Sequence, residues 1–244
     1  MDPITPTKPF TALFKDGYSN AFLFLLVFID ITFFFIHFTN TLTAELTGTA
    51  KKPLLLMDAD KSYAEIYQYI KFFWVSVLFI YLGYLKQTFH YLAWSILFIY
   101  FLLDDTLQFH EGIGRQIVPF LNFAPPFGLR LQDICELMVS ATAGSFIFPF
   151  LFIAYVKGSE SFKKTSRDIG ILVLLLIFFA VFVDMAHSAI KLGRAVNFSL
   201  AFIEDGGEMI VVSLIAWYVF RLSVNEGNSE IYLYDVIRGS LRAA

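Results

Sequence analysis

The chain has 244 residues, of which 57% are hydrophobic and only 16% are charged. A soluble domain carries about 25% charged residues, so this composition argues against a soluble protein and favours a single membrane domain. The net charge of −3 argues against a nucleic-acid partner, and Cys135, as the only cysteine, excludes an internal disulfide and a thiolate metal cluster.

Several apolar runs of about twenty residues predict an all-α, polytopic transmembrane helix bundle with about six spans. We expect one transmembrane domain over residues 21–222, between polar tails at residues 1–20 and 223–244. In chain order the predicted spans are residues 21–38, 66–85, 91–109, 134–156, 169–190 and 201–222. The protein is therefore predicted to be an integral, multi-pass protein of a plasma or inner membrane.

The polar segments between these spans differ in character. Residues 39–60 predict a loop that ends in an N-cap at Asp60 for the second helix. Residues 111–132 are rich in Gly and Pro, which predicts that they do not form one regular helix. Residues 157–167 predict a basic polar loop. Because six spans place both termini on one side, and because this basic loop lies on that side, we predict that both termini are cytoplasmic.

An acidic stretch closes the third predicted span. Asp104, Gln108 and Glu111 are spaced i, i+4, i+7, which predicts that they share one helix face, and Asp105 lies beside them. Carboxylates at membrane depth are costly and usually functional. When the six spans are traced through the membrane, their ionisable residues all fall in the same half. The sequence thus predicts a water-accessible acidic layer at one end of the bundle, above a hydrophobic floor.

The charges of this layer do not balance. About ten carboxylates face five basic residues, so several negative charges must bind protons or cations. Asp184 and His187 have the acid-x-x-His spacing of di-metal sites in helix bundles, although those sites use the pair twice. We predict a metal site with these ligands: Asp104, His110, Asp184, His187, Glu204 and Glu208. Further ligands or general acid–base groups are predicted at Asp30, His37, Glu111 and Glu136.

Structural roles compete with metal binding for several of these acids. Four of them lie near predicted helix N-termini, where capping and the helix dipole explain a carboxylate without any ligand: Asp133, Glu136, Glu204 and Asp205. Asp104 and Asp184 lie near predicted C-termini, where capping does not explain them. Their structural alternative is a buried salt bridge with Lys71 or Lys191.

Mixed carboxylate and imidazole ligands suit Zn, Fe or Mn better than Ca. The site predicts a metal-dependent membrane enzyme that acts on a lipid or another apolar substrate. The same residues also suit a cation or proton transporter or channel, although the bare half of the bundle then requires a gated hydrophobic plug. A third alternative is a non-catalytic, metal-stapled subunit or sensor of a membrane complex. The predicted partners are membrane lipid, a metal ion or protons, and a complex partner or second copy of the chain.

Overall fold

The computed structural model describes residues 13–14, 16–189, 193–225 and 232–237. Of the described residues 85% are helical, and none of them forms a strand. Within these described ranges, five helices are long and apolar enough to cross a membrane, or up to six if one bent pair is counted as a span. The predicted all-α fold and number of candidate spans are confirmed, whereas the side on which the termini lie stays a prediction. Lys191 and most of the two predicted tails lie outside the described residues.

The first two helices are longer than predicted. Helix α1 (Gly17–Thr47) continues well into the predicted loop and ends at Gly48, whose φ is 69°. The prediction of a loop from residue 39 was wrong because threonine side chains are satisfied inside the helix: the Thr47 hydroxyl donates to the Thr43 carbonyl at 2.7 Å.

Helix α2 (Tyr63–Leu85) begins at a different cap from the predicted one. The Ser62 hydroxyl accepts a hydrogen bond from the Glu65 backbone N–H at 3.2 Å. The cap predicted at Asp60 was therefore wrong, because Ser62 is the residue that stands one position before the first helical residue and satisfies a free N–H of the first turn.

The third predicted span is broken. Helix α3 (Tyr91–Leu107) and helix α4 (Phe109–Ile117) are separated by Gln108 at φ 52°, and the bent pair turns by 62°. The predicted common face of Asp104, Gln108 and Glu111 was wrong, because helical phase is lost at this left-handed residue. The segment predicted as irregular therefore starts with two turns of helix before short 3₁₀ turns replace it.

The second half of the chain contains three long candidate spans. Helix α5 (Leu131–Lys157) is followed at once by helix α6 (Glu160–Ile177), because the Ser159 hydroxyl caps the Phe162 N–H at 3.2 Å. The predicted basic loop at residues 157–167 is thus mostly helical.

Helix α6 passes without interruption into a π-helical segment (Phe178–Val183) and then into helix α7 (Asp184–Ala189). Helix α8 (Arg194–Val224) starts seven residues before its predicted span. It is the central helix, because 67% of an apolar 18-residue segment of it is buried, against 6% of the corresponding segment of α5. It packs on α1, α2 and α6.

The bundle has two distinct ends. The Phe14 ring stacks on Trp217 with centroids 5.2 Å apart, so the start of α1 and the end of α8 lie together. We call this end of the bundle the opposite end, because it lies away from the acid end. The acid end contains the start of α2, the end of α3 and the first turns of α8, and it carries the residues of the predicted layer.

Candidate functional site

A buried ion pair lies where α1, α2 and α8 meet. Lys71 and Asp30 are both 0% exposed, and the Lys71 ammonium donates to Asp30 Oδ1 at 3.0 Å. It also donates to the Met209 carbonyl at 2.8 Å and to the Ser213 hydroxyl at 3.2 Å. Ser213 in turn donates to Asp30 Oδ2 at 2.6 Å. All three ammonium hydrogens thus have acceptors, and Asp30 binds donors through both oxygens.

This pairing corrects one expectation for Lys71. The salt bridge considered between Lys71 and Asp104 does not form, because Asp30 on the neighbouring helix occupies the ammonium. The Tyr67 ring lies 4.7 Å from the Lys71 ammonium and adds an aromatic face to the same pocket. Asp30, which was predicted as a general acid–base group, is therefore paired with a lysine.

An acidic cavity adjoins the ion pair. It encloses about 190 Å³, and Met209, whose carbonyl accepts from Lys71, forms part of its wall. Among the residues that the structure describes, no lysine, arginine or histidine lines it. Six carboxylate residues do so: Asp58, Asp60, Glu65, Asp105, Asp205 and Glu208. Carboxyl groups are therefore concentrated beside the ion pair.

Gln68 contributes an unusual group to this cavity wall. The residue is only 7% exposed, and its Oε1 atom is buried without a hydrogen-bond partner among the described residues. Neither Gln68 nor Asp58 was predicted to be a site residue, and Asp58 lay in a predicted loop. A signal was present, because Ala64, Gln68 and Lys71 are spaced i, i+4, i+7 on one face of α2.

Asp104 lies apart from the cavity wall and organises the break between α3 and α4. Its Oδ1 accepts from the His110 backbone N–H at 3.0 Å, and its Oδ2 lies 2.9 Å from His110 Nδ1. The Tyr100 hydroxyl donates to Oδ2 at 3.2 Å. Capping does explain Asp104, contrary to the expectation from the sequence. Its side chain satisfies a free N–H in the first turn of α4, although Gln108 is the residue directly before that helix.

A third group of predicted ligands meets where α7 packs on α8. His187 Nδ1 lies 2.8 Å from Glu204 Oε2, and the carboxyl groups of Asp184 and Glu204 are in hydrogen-bonding contact. Glu204 and Asp205 are in the third turn of α8, since that helix starts at Arg194. Capping, the alternative considered for these two acids, therefore does not apply to them.

A glycine permits the close approach of the π-helical segment to α8. A Cβ placed on Gly207 would stand 2.3 Å from the Phe179 ring. The π-helical segment directly precedes Asp184, so this packing also helps to set where α7 begins. Single π-helical turns inside α-helices occur frequently at functional sites.

The remaining predicted site residues have local partners. His37 Nδ1 accepts from the Met57 N–H at 3.0 Å, which anchors the segment after α1. Glu111 pairs with Arg115 at 3.3 Å, and Glu136 accepts from Gln132 at 2.7 Å.

Asp133 has the structural role considered for it. It accepts from the Arg130 backbone N–H at 2.9 Å and from its guanidinium at 2.6 Å, so it caps α5. These hydrogen bonds raise the pKa of Arg130 above its usual value.

A buried polar cluster at the opposite end had no counterpart in the predicted layer. Asp168 is 0% exposed and accepts from the Tyr218 hydroxyl at 2.5 Å. It also accepts from the backbone N–H groups of Leu233 at 2.6 Å and Tyr234 at 2.9 Å. Residues 232–237 thus cover this carboxylate, and they lie within the segment that we predicted to be a tail.

The comparisons with known proteins identify a family and no activity. The family described as a domain of unknown function, DUF8692, matches residues 21–222. The chain belongs to this family. No curated protein and no solved structure matches it.

The six predicted metal ligands are distributed over three places rather than one. Asp104 and His110 lie at the helix break, Glu208 lines the cavity, and the other three meet at α7 and α8. Within the described ranges, no group of three or more His, Cys, Asp or Glu side chains is arranged to hold a metal ion. The arrangement therefore offers an acidic cavity and a buried charge pair, rather than a preformed metal centre.

Proposed function

We propose that this protein is a proton-coupled membrane transporter. The acidic cavity admits cations from one end, and the Lys71–Asp30 pair holds the proton that is exchanged. The observation that carries this proposal is the contact between the two features: Met209 both lines the cavity and accepts a hydrogen bond from Lys71.

The chemistry of the pair suits reversible proton transfer. Lys71 Nζ and Asp30 Oδ1 are 3.0 Å apart, which is hydrogen-bond distance. Transfer of one proton from the ammonium to the carboxylate neutralises both groups, and their burial lowers the energetic gap between the charged and neutral forms. Ionisable residues inside transmembrane segments are the usual components of proton relays.

Polar groups also continue along α8 toward the opposite end. A transport pathway needs polar groups in both halves of the bundle, and these groups meet part of that requirement. Trp217 lies four residues beyond Ser213, and its Nε1 is buried without a partner in the described structure. Tyr218 follows and donates to the buried Asp168. At about 1.5 Å per residue, Ser213 and Tyr218 are separated by roughly 7.5 Å along the helix. A buried carboxylate therefore lies at the opposite end, one residue before the predicted fifth span.

The test is proton flux into proteoliposomes that contain a pH-sensitive dye, driven by a potassium diffusion potential. Asp30→Asn is expected to abolish the flux of the wild type, and Ser213→Ala is expected to slow it. Glu45→Gln is the matched control, because Glu45 is an exposed acid on the last turn of the same helix. Wild-type flux in the folded Asp30→Asn variant would refute the proposal.

A second candidate function rests on a different observation. Glu204 contacts both Asp184 and His187. The three side chains form no preformed metal site, so a metal ion would have to draw them together; their oxygen and nitrogen atoms are of the kinds that suit Zn, Fe or Mn. A bound metal would lower the pKa of its water and so support hydrolysis of a lipid or another apolar substrate. In a non-catalytic subunit or sensor, the same metal would only hold α7 to α8.

Elemental analysis of the purified protein tests this second function. If it is correct, the wild type and Glu45→Gln carry metal at a fixed stoichiometry and His187→Ala carries much less. Equal metal content in all three proteins would refute it.

A further inference from the structure

The wall of the acidic cavity combines two independent features. Among its described lining residues, six have carboxyl groups and none is a lysine, arginine or histidine. Gln68 also lines the cavity, and its Oε1 atom is buried with no hydrogen-bond donor within the described residues. A buried carbonyl oxygen without a partner costs free energy comparable to a lost hydrogen bond. A cation in the cavity provides a partner for this oxygen and offsets the negative charge at the same time.

We propose that the cavity binds a hydrated divalent cation of the Mg²⁺ class, held by Gln68 Oε1 together with Asp205 and Glu208. The proposed site names the class of ion that the proposed transporter carries. It rests on the transport function only for the role of the bound ion, and not for the binding itself.

The donor set selects the class of cation. The cavity wall offers carboxylate and amide oxygens and contains no imidazole or thiolate. Such oxygen ligands suit Mg²⁺, Mn²⁺ and Ca²⁺, whereas Zn²⁺ and Cu²⁺ prefer nitrogen and sulfur. The site therefore differs in its preferred metal from the group formed by Asp184, His187 and Glu204.

The size of the cavity selects the hydration state. The cavity volume of about 190 Å³ far exceeds the space that one water needs, so the cavity accommodates an ion together with part of its hydration shell. Mg²⁺ dehydrates reluctantly and usually keeps several waters while it binds one or two carboxylates. Direct contact with many protein ligands is therefore not required, which agrees with the absence of a preformed three-ligand group among the described residues.

The proposed ligands come from two different helices. Gln68 comes from α2, whereas Asp205 and Glu208 are spaced i, i+3 on α8. A cation between them links the two helices that also hold the Lys71 network. Occupation of the cavity thus acts directly on the packing of α2 against α8.

The experiment measures Mn²⁺ binding to the detergent-purified full chain, by loss of the electron paramagnetic resonance signal of free Mn²⁺. The wild type is expected to bind Mn²⁺ and to release it when Mg²⁺ is added. Gln68→Met and Glu208→Gln are each expected to weaken binding at least tenfold. Gln68→Glu is expected to retain binding because it keeps an oxygen ligand, and Glu45→Gln serves as the control for the loss of a distant charge.

Two results would overturn the inference: no binding of Mn²⁺ at millimolar concentration by the wild type, or unchanged binding in both Gln68→Met and Glu208→Gln. Thermal unfolding of each variant establishes that it is folded, and the retained binding of Gln68→Glu separates a ligand role from a packing role. The flux assay and the binding assay test the two proposals separately. Divalent-cation binding without proton flux refutes the transporter alone, whereas flux without such binding refutes the cation site alone.

Discussion

The Lys71–Asp30 pair allows a quantitative prediction about stability. Lys71→Met removes the ammonium and leaves the Asp30 carboxylate fully buried, with Ser213 as its only remaining hydrogen-bond donor among the described residues. Removal of one partner from a buried ion pair typically costs about 3–5 kcal/mol, because the other charge stays in a medium of low polarity. We expect a loss of this size in the free energy of unfolding of Lys71→Met.

The double variant Asp30→Asn/Lys71→Met tests the origin of that loss. Asparagine keeps an acceptor for the Ser213 hydroxyl and carries no charge, so most of the lost stability should return. The predicted coupling between the two positions is at least about 2 kcal/mol.

The assay is unfolding by sodium dodecyl sulfate in mixed micelles, followed by circular dichroism, for the wild type, both single variants and the double variant. Asp30→Asn alone also belongs in the cycle, because it leaves Lys71 with the Met209 carbonyl and Ser213. The reasoning fails if Lys71→Met unfolds at the wild-type detergent fraction, or if the double variant is no more stable than Lys71→Met.

Four other predictions use the same protein preparation. Asp104→Ala should lower the free energy of unfolding by about 0.5–2 kcal/mol, because the helix after the break loses its cap; unchanged stability would contradict the capping role. Gly207→Ala should cost about 1–3 kcal/mol, since its methyl group enters the Phe179 ring, and Phe179→Leu should restore part of the loss if this clash is the cause. Asp168→Ala should accelerate proteolytic cleavage at residues 232–237, which lose their buried acceptor; the cleavage rate of the wild type would argue against that anchor. Cys135, which is 0% exposed, should react with a maleimide only after denaturation, and equal labelling of the native protein would show that α4 and α5 open readily.

The predicted ligands lie in three places at the acid end, and neighbouring acids there have different roles. The helix break at Gln108 directs α4 away from the axis of α3. This leaves Asp105 on the cavity wall, while the neighbouring Asp104 is engaged with His110. The two adjacent aspartates therefore have different roles, one in shaping the backbone and one in the charge of the cavity.

Much of the architecture was predictable because its physical cause acts on each segment separately. An apolar run of about twenty residues is favourable in a membrane whatever its neighbours are, so composition and hydropathy alone indicate the number of candidate spans. The cost of a charge at membrane depth is likewise local. For this reason the gathering of Asp105, Asp205 and Glu208 at one end follows from the alternating direction of the spans, and the cavity confirms that they lie together.

Partner choice, in contrast, was decided by the tertiary structure. Each residue turns an α-helix by about 100°, so a small difference in helix rotation or in a helix boundary determines which side chain a charge meets. Lys71 binds Asp30 instead of Asp104, and Asp104 caps a helix that begins beyond a left-handed Gln108. Gln68 acquires its significance only because α2 faces α8 across the cavity. The sequence by itself determined an acidic end on a helical bundle with candidate membrane spans, whereas packing decided which acids are paired and which line the cavity.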